Sequence, residues 1–157
     1  PGRTASLLGV ERFEVAQYVS SRPAPVDELA VAATAEGFDF VAKAVAEWES
    51  GRNRFDRDGG AFFLALADRV VGMCGLNVDP FLGSTDVGRI RRLYVAPTHR
   101  RLGVGESLVV ACLTRAPGHF RRVRARTHDD AAARFYAGLG FESVEEPDAT
   151  HTLPVGG

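Results

Sequence analysis

The chain has 157 residues, a length that suits one domain and leaves little room for two. It is 45% hydrophobic and 25% charged, the balance of a chain that folds, and a formal net charge of −1 removes the broad positive field of a general nucleic-acid binder. The longest unbroken apolar run, Ala61 to Ala67, falls far short of the ~20 residues that cross a bilayer, and the apolar stretch Ser6 to Val10 is too short for the core of a secretion signal. No membrane partner is expected, and a cytoplasmic location is. Cys74 and Cys112 lack C-x-x-C spacing, so they signal neither a disulfide framework nor a zinc site; no metal is expected.

In chain order, Arg12 to Val19 reads as a short strand, with Phe13, Val15 and Val19 as its apolar positions. Two prolines break the chain before a helix from Asp27 to Ala35, whose first-turn acids suit the positive helix end. Asp39 is placed to cap a second helix, in which Val41, Ala44, Val45 and Trp48 share one face. After a polar connection, Gly51 to Gly60, the period changes to that of strands. Ala61 to Ala67 and Val70 to Val78 form a hairpin around Asp68-Arg69, and Gly72 and Gly75 hint at a bulge or a close backbone approach. A loop over Asp79 to Asp86 leads to a strand from Gly88 to Val95, then a helix from Gly103 to Arg115. Arg121 to Thr127 has strand periodicity; Asp129 or Asp130 caps a helix to Ala137, and strands from Phe141 and over Thr150 to Val155 close the order. That order predicts an α/β (α+β) domain with a mixed sheet and helices on both faces.

The chemistry concentrates in Leu93 to Glu106, LYVAPTHRRLGVGE. It reads as a strand, a cationic loop and a glycine-bearing helix start. Gly103 and Gly105 let a ligand lie against the backbone, and the first helical N–H groups lack intrahelical partners. With Arg100 and Arg101 beside them, they make a cradle for a pyrophosphate. The plainer alternative is a helix start with two glycines and solvated arginines. The strand before it, the basic loop and the apolar helix after it favour the cradle.

These segments resemble the GNAT superfamily of N-acetyltransferases. Arg100-Arg101-Leu102-Gly103-Val104-Gly105 matches its Arg/Gln-x-x-Gly-x-Gly/Ala motif. Leu93-Tyr94-Val95 with Pro97 looks like its fourth strand, and Phe135-Tyr136-Ala137-Gly138-Leu139-Gly140-Phe141 looks like its F-Y-x-x-L-G-F segment. The six-residue motif alone is unspecific; the three segments in order are specific. The resemblance implies a mostly antiparallel sheet of about seven strands, with the fourth and fifth splayed apart. It implies acetyl-CoA as cosubstrate, with Leu93, Tyr94 and Val95 pairing with its pantetheine arm and a strand N–H polarising the thioester. Leu102, Gly103, Val104, Gly105 and Glu106 would give N–H groups to the pyrophosphate, and Tyr136 would protonate the departing thiolate.

Two positions depart from the family pattern. Asp129 stands where Asn is usual, which keeps a helix cap but puts a donated hydrogen bond to pantetheine in doubt. Arg89 and Arg91 occupy the strand positions where many members carry a glutamate base, and neither can accept a proton at neutral pH. Glu47, Glu49, Asp79, Asp86, His128 and His151 are candidates, each read first as a surface or capping residue. Arg54, Arg89, Arg91 and Arg92 could surround the site, so the amine acceptor is expected to carry an anionic group if they are not simply a solvated edge. Arg121, Arg122, Arg124 and Arg126 lack the interleaved aromatics of a nucleic-acid stripe. The cysteines, among apolar neighbours, read as buried and inert. The expected reaction is acetyl transfer to a primary amine of a small molecule or protein. A non-catalytic acyl-CoA sensor or partner module is the alternative, and oligomeric state stays open, a homodimer included.

Overall fold

A computed structural model describes residues 3–4 and 12–156. In chain order the elements are β1 (Arg3–Thr4), β2 (Phe13–Gln17), α1 (Asp27–Ala35), α2 (Phe40–Ser50), β3 (Ala61–Leu66), β4 (Val70–Val78) and β5 (Val87–Val95). There follow a single 3₁₀ turn (Pro97–His99), α3 (Val104–Arg115), β6 (Arg122–Ala125), α4 (Asp130–Gly138), β7 (Glu142–Glu146) and β8 (Ala149–Pro154). The strands form one sheet in the order β1-β2-β3-β4-β5-β6-β8-β7, antiparallel throughout except for β5 and β6. This is the mixed, mostly antiparallel sheet expected; the two-residue β1 is the addition, so the predicted fourth and fifth strands are β5 and β6.

Side-chain alternation along β4 sets the layers. Gly72 and Cys74 face α3: a Cβ on Gly72 would lie 3.0 Å from Leu108, and Cys74 Sγ is 3.7 Å from Cys112 Sγ. Met73 and Gly75 face the opposite side, where Met73 borders Ala44 and Trp48 of α2 and a Cβ on Gly75 would overlap the Phe55 ring. Helices therefore cover both faces. Trp48 anchors the second layer: it is 2% exposed, donates from Nε1 to Ser20 O at 3.0 Å, and packs on Tyr18, Phe55 and Phe62.

The close approach read from the glycines is present at Gly75, and the bulge lies beside Gly72: Ala65 pairs with Gly72 and Leu66 with Val70, so β4 spends two residue steps where β3 spends one. A second bulge lies on the neighbouring strand, β5. Met73 pairs with Tyr94 and Gly75 with Arg91, so β5 spends three residue steps where β4 spends two. Arg92 absorbs the extra residue in the left-handed region, at φ 59°. Pairing between β5 and β6 stops at Arg89↔Arg124, and the rest of β5 runs on without β6 beside it. The two strands are splayed as expected.

A buried ionic cluster sits at that fork. The Asp79 side chain is fully enclosed and its Oδ2 takes Arg124 Nε at 2.8 Å and Arg89 Nη1 at 3.3 Å, while Arg124 also reaches Glu146 at 3.1 Å. Burial pulls the Asp79 carboxyl upward, but the Arg124 hydrogen bond, the Phe81 N–H and the two guanidinium charges outweigh it and hold the group below its usual range. One local expectation fails: the Asp39 side chain does not cap α2, because it is drawn into an ion pair with Lys43 at 3.1 Å.

Gly75→Ala is expected to destabilise the fold by about 1–3 kcal/mol, because its methyl group must displace the Phe55 ring. Urea unfolding monitored by Trp48 fluorescence measures this, and an unchanged midpoint refutes it.

Candidate active site

Beyond the bulge, β5 forms one wall of a cleft of about 740 Å³. Leu93, Tyr94 and Val95 line it from β5; Arg100, Arg101, Gly103, Val104, Gly105 and Glu106 line it from the start of α3. Asp129, Phe135 and Tyr136 line it from α4 and its cap. Every predicted site residue therefore meets this cleft except Leu102, whose half-buried side chain packs on the core. Glu36 and Phe38, from the α1–α2 connection, and Phe40, the first residue of α2, also line it and had no local signature in the sequence.

The turn into α3 is open. Arg101 and Gly103 both take positive φ, 64° and 83°, and no side chain caps the helix. The first amide bonded back is that of Ser107, to Gly103 O at 3.0 Å. Among the described residues no acceptor takes the N–H groups of Leu102 to Glu106. Uncapped amides at the positive end of a helix, facing a cleft, are an anion site.

Arg100 lines the same cleft, with its guanidinium engaged by protein acceptors. It lies back along β5, donating from Nε to Val95 O at 3.1 Å and from both terminal nitrogens to Glu36, at 2.6 and 2.9 Å. Tyr94 donates its hydroxyl to the same carboxylate at 2.6 Å. The Arg100 and Tyr94 hydrogen bonds hold the Glu36 carboxyl at about 2, against its usual 4.5. Burial, then Glu36, pushes the Tyr94 phenol up to about 12. Arg101 is exposed and is the cation left at the turn.

Tyr136 sits at the inner end, 6% exposed, with Phe135, Phe141 and His151 rings around it at 5.1, 5.1 and 5.9 Å. Its hydroxyl has no hydrogen-bond partner among the described residues. Burial, with Cys74 and Cys112 nearby, raises the phenol above its ordinary value of 10, so it stays protonated. Both cysteines are free and buried, and burial raises the Cys112 thiol further, which suits the inert role. Asp129 is the cap of α4, its Oδ1 accepting from Ala132 N at 2.7 Å.

A second cleft, of about 320 Å³, opens on the other side of the bulge, with Glu47, Arg52, Asn53, Arg57, Asn77 and Arg91 among its lining residues. Of the four arginines expected to surround the acceptor, Arg91 alone lines this cleft, and the other three are engaged. Arg54 donates to Trp48 O at 2.9 Å, Arg89 is bound to Asp79, and Arg92 pairs with Glu47 at 3.1 Å. Arg91 is half-buried and has no carboxylate in ion-pair reach among the described residues; burial, then the Arg92 charge, lowers its pKa. Arg52 and Arg57, not singled out in the sequence, join it. Arg121, Arg122, Arg124 and Arg126 each have a carboxylate partner, Asp86, Glu146, Asp79 and Asp148 respectively. No group of three or more metal-ligating side chains is assembled among the described residues, and no helix there is long and apolar enough to cross a membrane.

The comparisons agree with this geometry. The sequence model of the acetyltransferase (GNAT) family matches residues 26–141, more than half of the chain. The chain therefore belongs to the GNAT acetyltransferase family. A solved protein from Exiguobacterium sp. 255-15, described as an acetyltransferase, superposes with a TM-score of 0.79 at 28% identity, over 90% of this chain and 93% of that one. A GNAT acetyltransferase from Staphylococcus aureus Mu50 gives 0.65 at 18% identity, over 89% and 96% of the two chains. An acetyltransferase from Streptococcus agalactiae 2603 gives 0.66 at 17% identity, over 89% and 95%. The last two support the fold alone. No curated protein sequence matches at a significant level.

The Glu36 carboxyl has a testable signature. Its folded pKa lies below its unfolded one, so the stability it contributes is present above pH 4.5 and is lost as the pH falls toward about 2. An NMR titration of its carboxyl carbon is expected to show a midpoint near that lower value, and Glu36→Gln to flatten the stability loss across the same window. A midpoint at the usual 4.5 contradicts the bridge to Arg100.

Proposed function

We propose that this protein transfers the acetyl group of acetyl-CoA directly to a primary amine, on a small molecule, a protein N-terminus or a lysine. The observation that carries this reading is the continuity of one cleft from the unpartnered amides of Leu102–Glu106, past the free edge of β5, to the Tyr136 hydroxyl. Those three features suit a diphosphate, an extended amide-bearing arm and a thioester sulfur in that order.

The amides before and at the start of α3, with Arg101, bind the diphosphate. Leu93, Tyr94 and Val95 offer backbone groups to the pantetheine arm as a strand would, and Val95 O, which already accepts from Arg100, has a second lone pair for it. A backbone N–H on β5 polarises the thioester carbonyl and stabilises the negative charge that develops there. Tyr136, kept neutral by burial, gives its proton to the departing sulfur. Arg91, which lines the smaller cleft and has no carboxylate partner among the described residues, supports an acceptor that carries a carboxylate or phosphate besides its amine.

Calorimetry with acetyl-CoA tests the first step. Wild type is expected to bind, and Gly105→Glu, which sets a carboxylate at the open amides, to weaken binding about tenfold or more, the ~1.4 kcal/mol loss of one charge-assisted contact. Equal affinities remove the cofactor site from the reading.

Thiol release across an amine panel tests the chemistry. Tyr136→Phe is expected to lower kcat about a hundredfold at little change in acetyl-CoA affinity. Arg91→Ala is expected to raise KM about tenfold for acid-bearing amines and to leave uncharged amines unaffected. The carboxylates missing at positions 89 and 91 favour one other reading, an acyl-CoA-binding module without catalysis, and acetyl-CoA binding with no thiol release from any amine would establish it.

A further inference from the structure

We propose that Glu47 accepts the proton that the acceptor amine must lose, supplying from α2 the carboxylate that positions 89 and 91 of β5 lack. The assignment rests on the N-acetyltransferase reading above and identifies a group that reading leaves open.

The other candidates are excluded by their surroundings. Asp79 is fully enclosed with both oxygens engaged, Oδ1 by Phe81 N at 2.9 Å and Oδ2 by Arg124 and Arg89. Asp86 is exposed and tied to Ser84 and Arg121. Glu36 is held by Arg100 and Tyr94. His151 is buried against Tyr136, with Nδ1 on Thr150 Oγ1 at 2.9 Å. Glu49 and His128 are exposed and line neither cleft.

Glu47 differs from all of these. It lines the cleft that Arg91 enters, and its side chain is 27% exposed. One oxygen, Oε1, is fixed by Arg92 Nη2 at 3.1 Å, and Oε2 has no partner among the described residues. Arg92 is the bulge residue, and the residue after it, Leu93, begins the part of β5 that lines the larger cleft. The carboxylate is thereby attached to the strand at the boundary between the two clefts. Arg92 also keeps a buried Nε–H without an acceptor among the described residues. The backbone at Glu47 is held by its neighbour Trp48, locked in the core, and by its own carbonyl, which accepts from Asn53 N at 3.2 Å.

The proton balance is complete. The bound ammonium passes one proton to Glu47, directly or through one water, and Glu47 returns it to solvent. The neutral amine forms the C–N bond as the C–S bond breaks; Tyr136 protonates sulfur and recovers a proton from the amide nitrogen. The charged groups facing Glu47 are Arg91 and Arg92 from β5 and Arg52, Arg57 and Asp58 from the α2–β3 connection.

The test is thiol release from acetyl-CoA with amino acids, phosphoethanolamine and benzylamine as acceptors, using wild type, E47Q and E47D across pH. The expected result for E47Q is a kcat about a hundredfold lower, loss of the low-pH limb of the kcat/KM profile, and unchanged acetyl-CoA affinity by calorimetry. E47D, which keeps the charge but shortens its reach, lowers kcat and retains the limb, and it decides the matter if E47Q does not fold. An E47Q enzyme with the wild-type rate and profile overturns this assignment alone. Wild type that turns over none of the amines overturns it together with the reading it rests on.

Discussion

The site depends on where β5 stops pairing. Up to Arg89 the strand is an ordinary member of the sheet, bonded to β4 on one side and β6 on the other. After Arg89 the β6 partner is gone, and the extra residue at Arg92 turns the strand while its bonds to β4 resume at Tyr94. A strand edge with unused N–H and C=O groups invites another chain to pair with it. Here that edge is enclosed by α3, α4 and the α1–α2 connection, and under the proposed function an extended ligand, rather than another protein's strand, occupies it.

Electrostatics divide the two clefts. In the larger one the strongest charges are mutually satisfied: Arg100, Glu36 and Tyr94 bind one another, which leaves the amides of the α3 turn and Arg101 as its attraction for an anion. The smaller one has the opposite character, with Arg91 half-buried and unmatched and Glu47 holding one free oxygen. Under the proposed function the first cleft grips by dipoles and shape, and the second selects by charge.

Much of this was legible in the sequence, for local reasons. The turn into α3 was readable because glycines at fixed spacing after a strand have few other uses. Capping was readable only in part: Asp129, one of two acids read as the cap, does cap α4, whereas Asp39 at the equivalent place is taken by Lys43. Gly75 was readable as a close approach and the shift beside Gly72 as a bulge, yet the second bulge, at Arg92 of β5, was not, since no glycine marks it. The bridge from Arg100 was not readable because its partner, Glu36, is sixty-four residues away in the chain and no local pattern ties them. The same limit hid Arg52 and Arg57 and left Glu47 one candidate among six, since which carboxylate remains available is settled only by which others are already bound.

The ionic cluster at the fork has one more consequence. Arg89 and Arg124, the last residues to pair across β5 and β6, are both pinned to the same enclosed Asp79. The vertex of the wedge is thus riveted, and its arms diverge from a fixed point at a preset angle. A guest sliding between them ruptures no ladder of main-chain bonds, so the gap stands ready-made and filling it calls for no parting of strands.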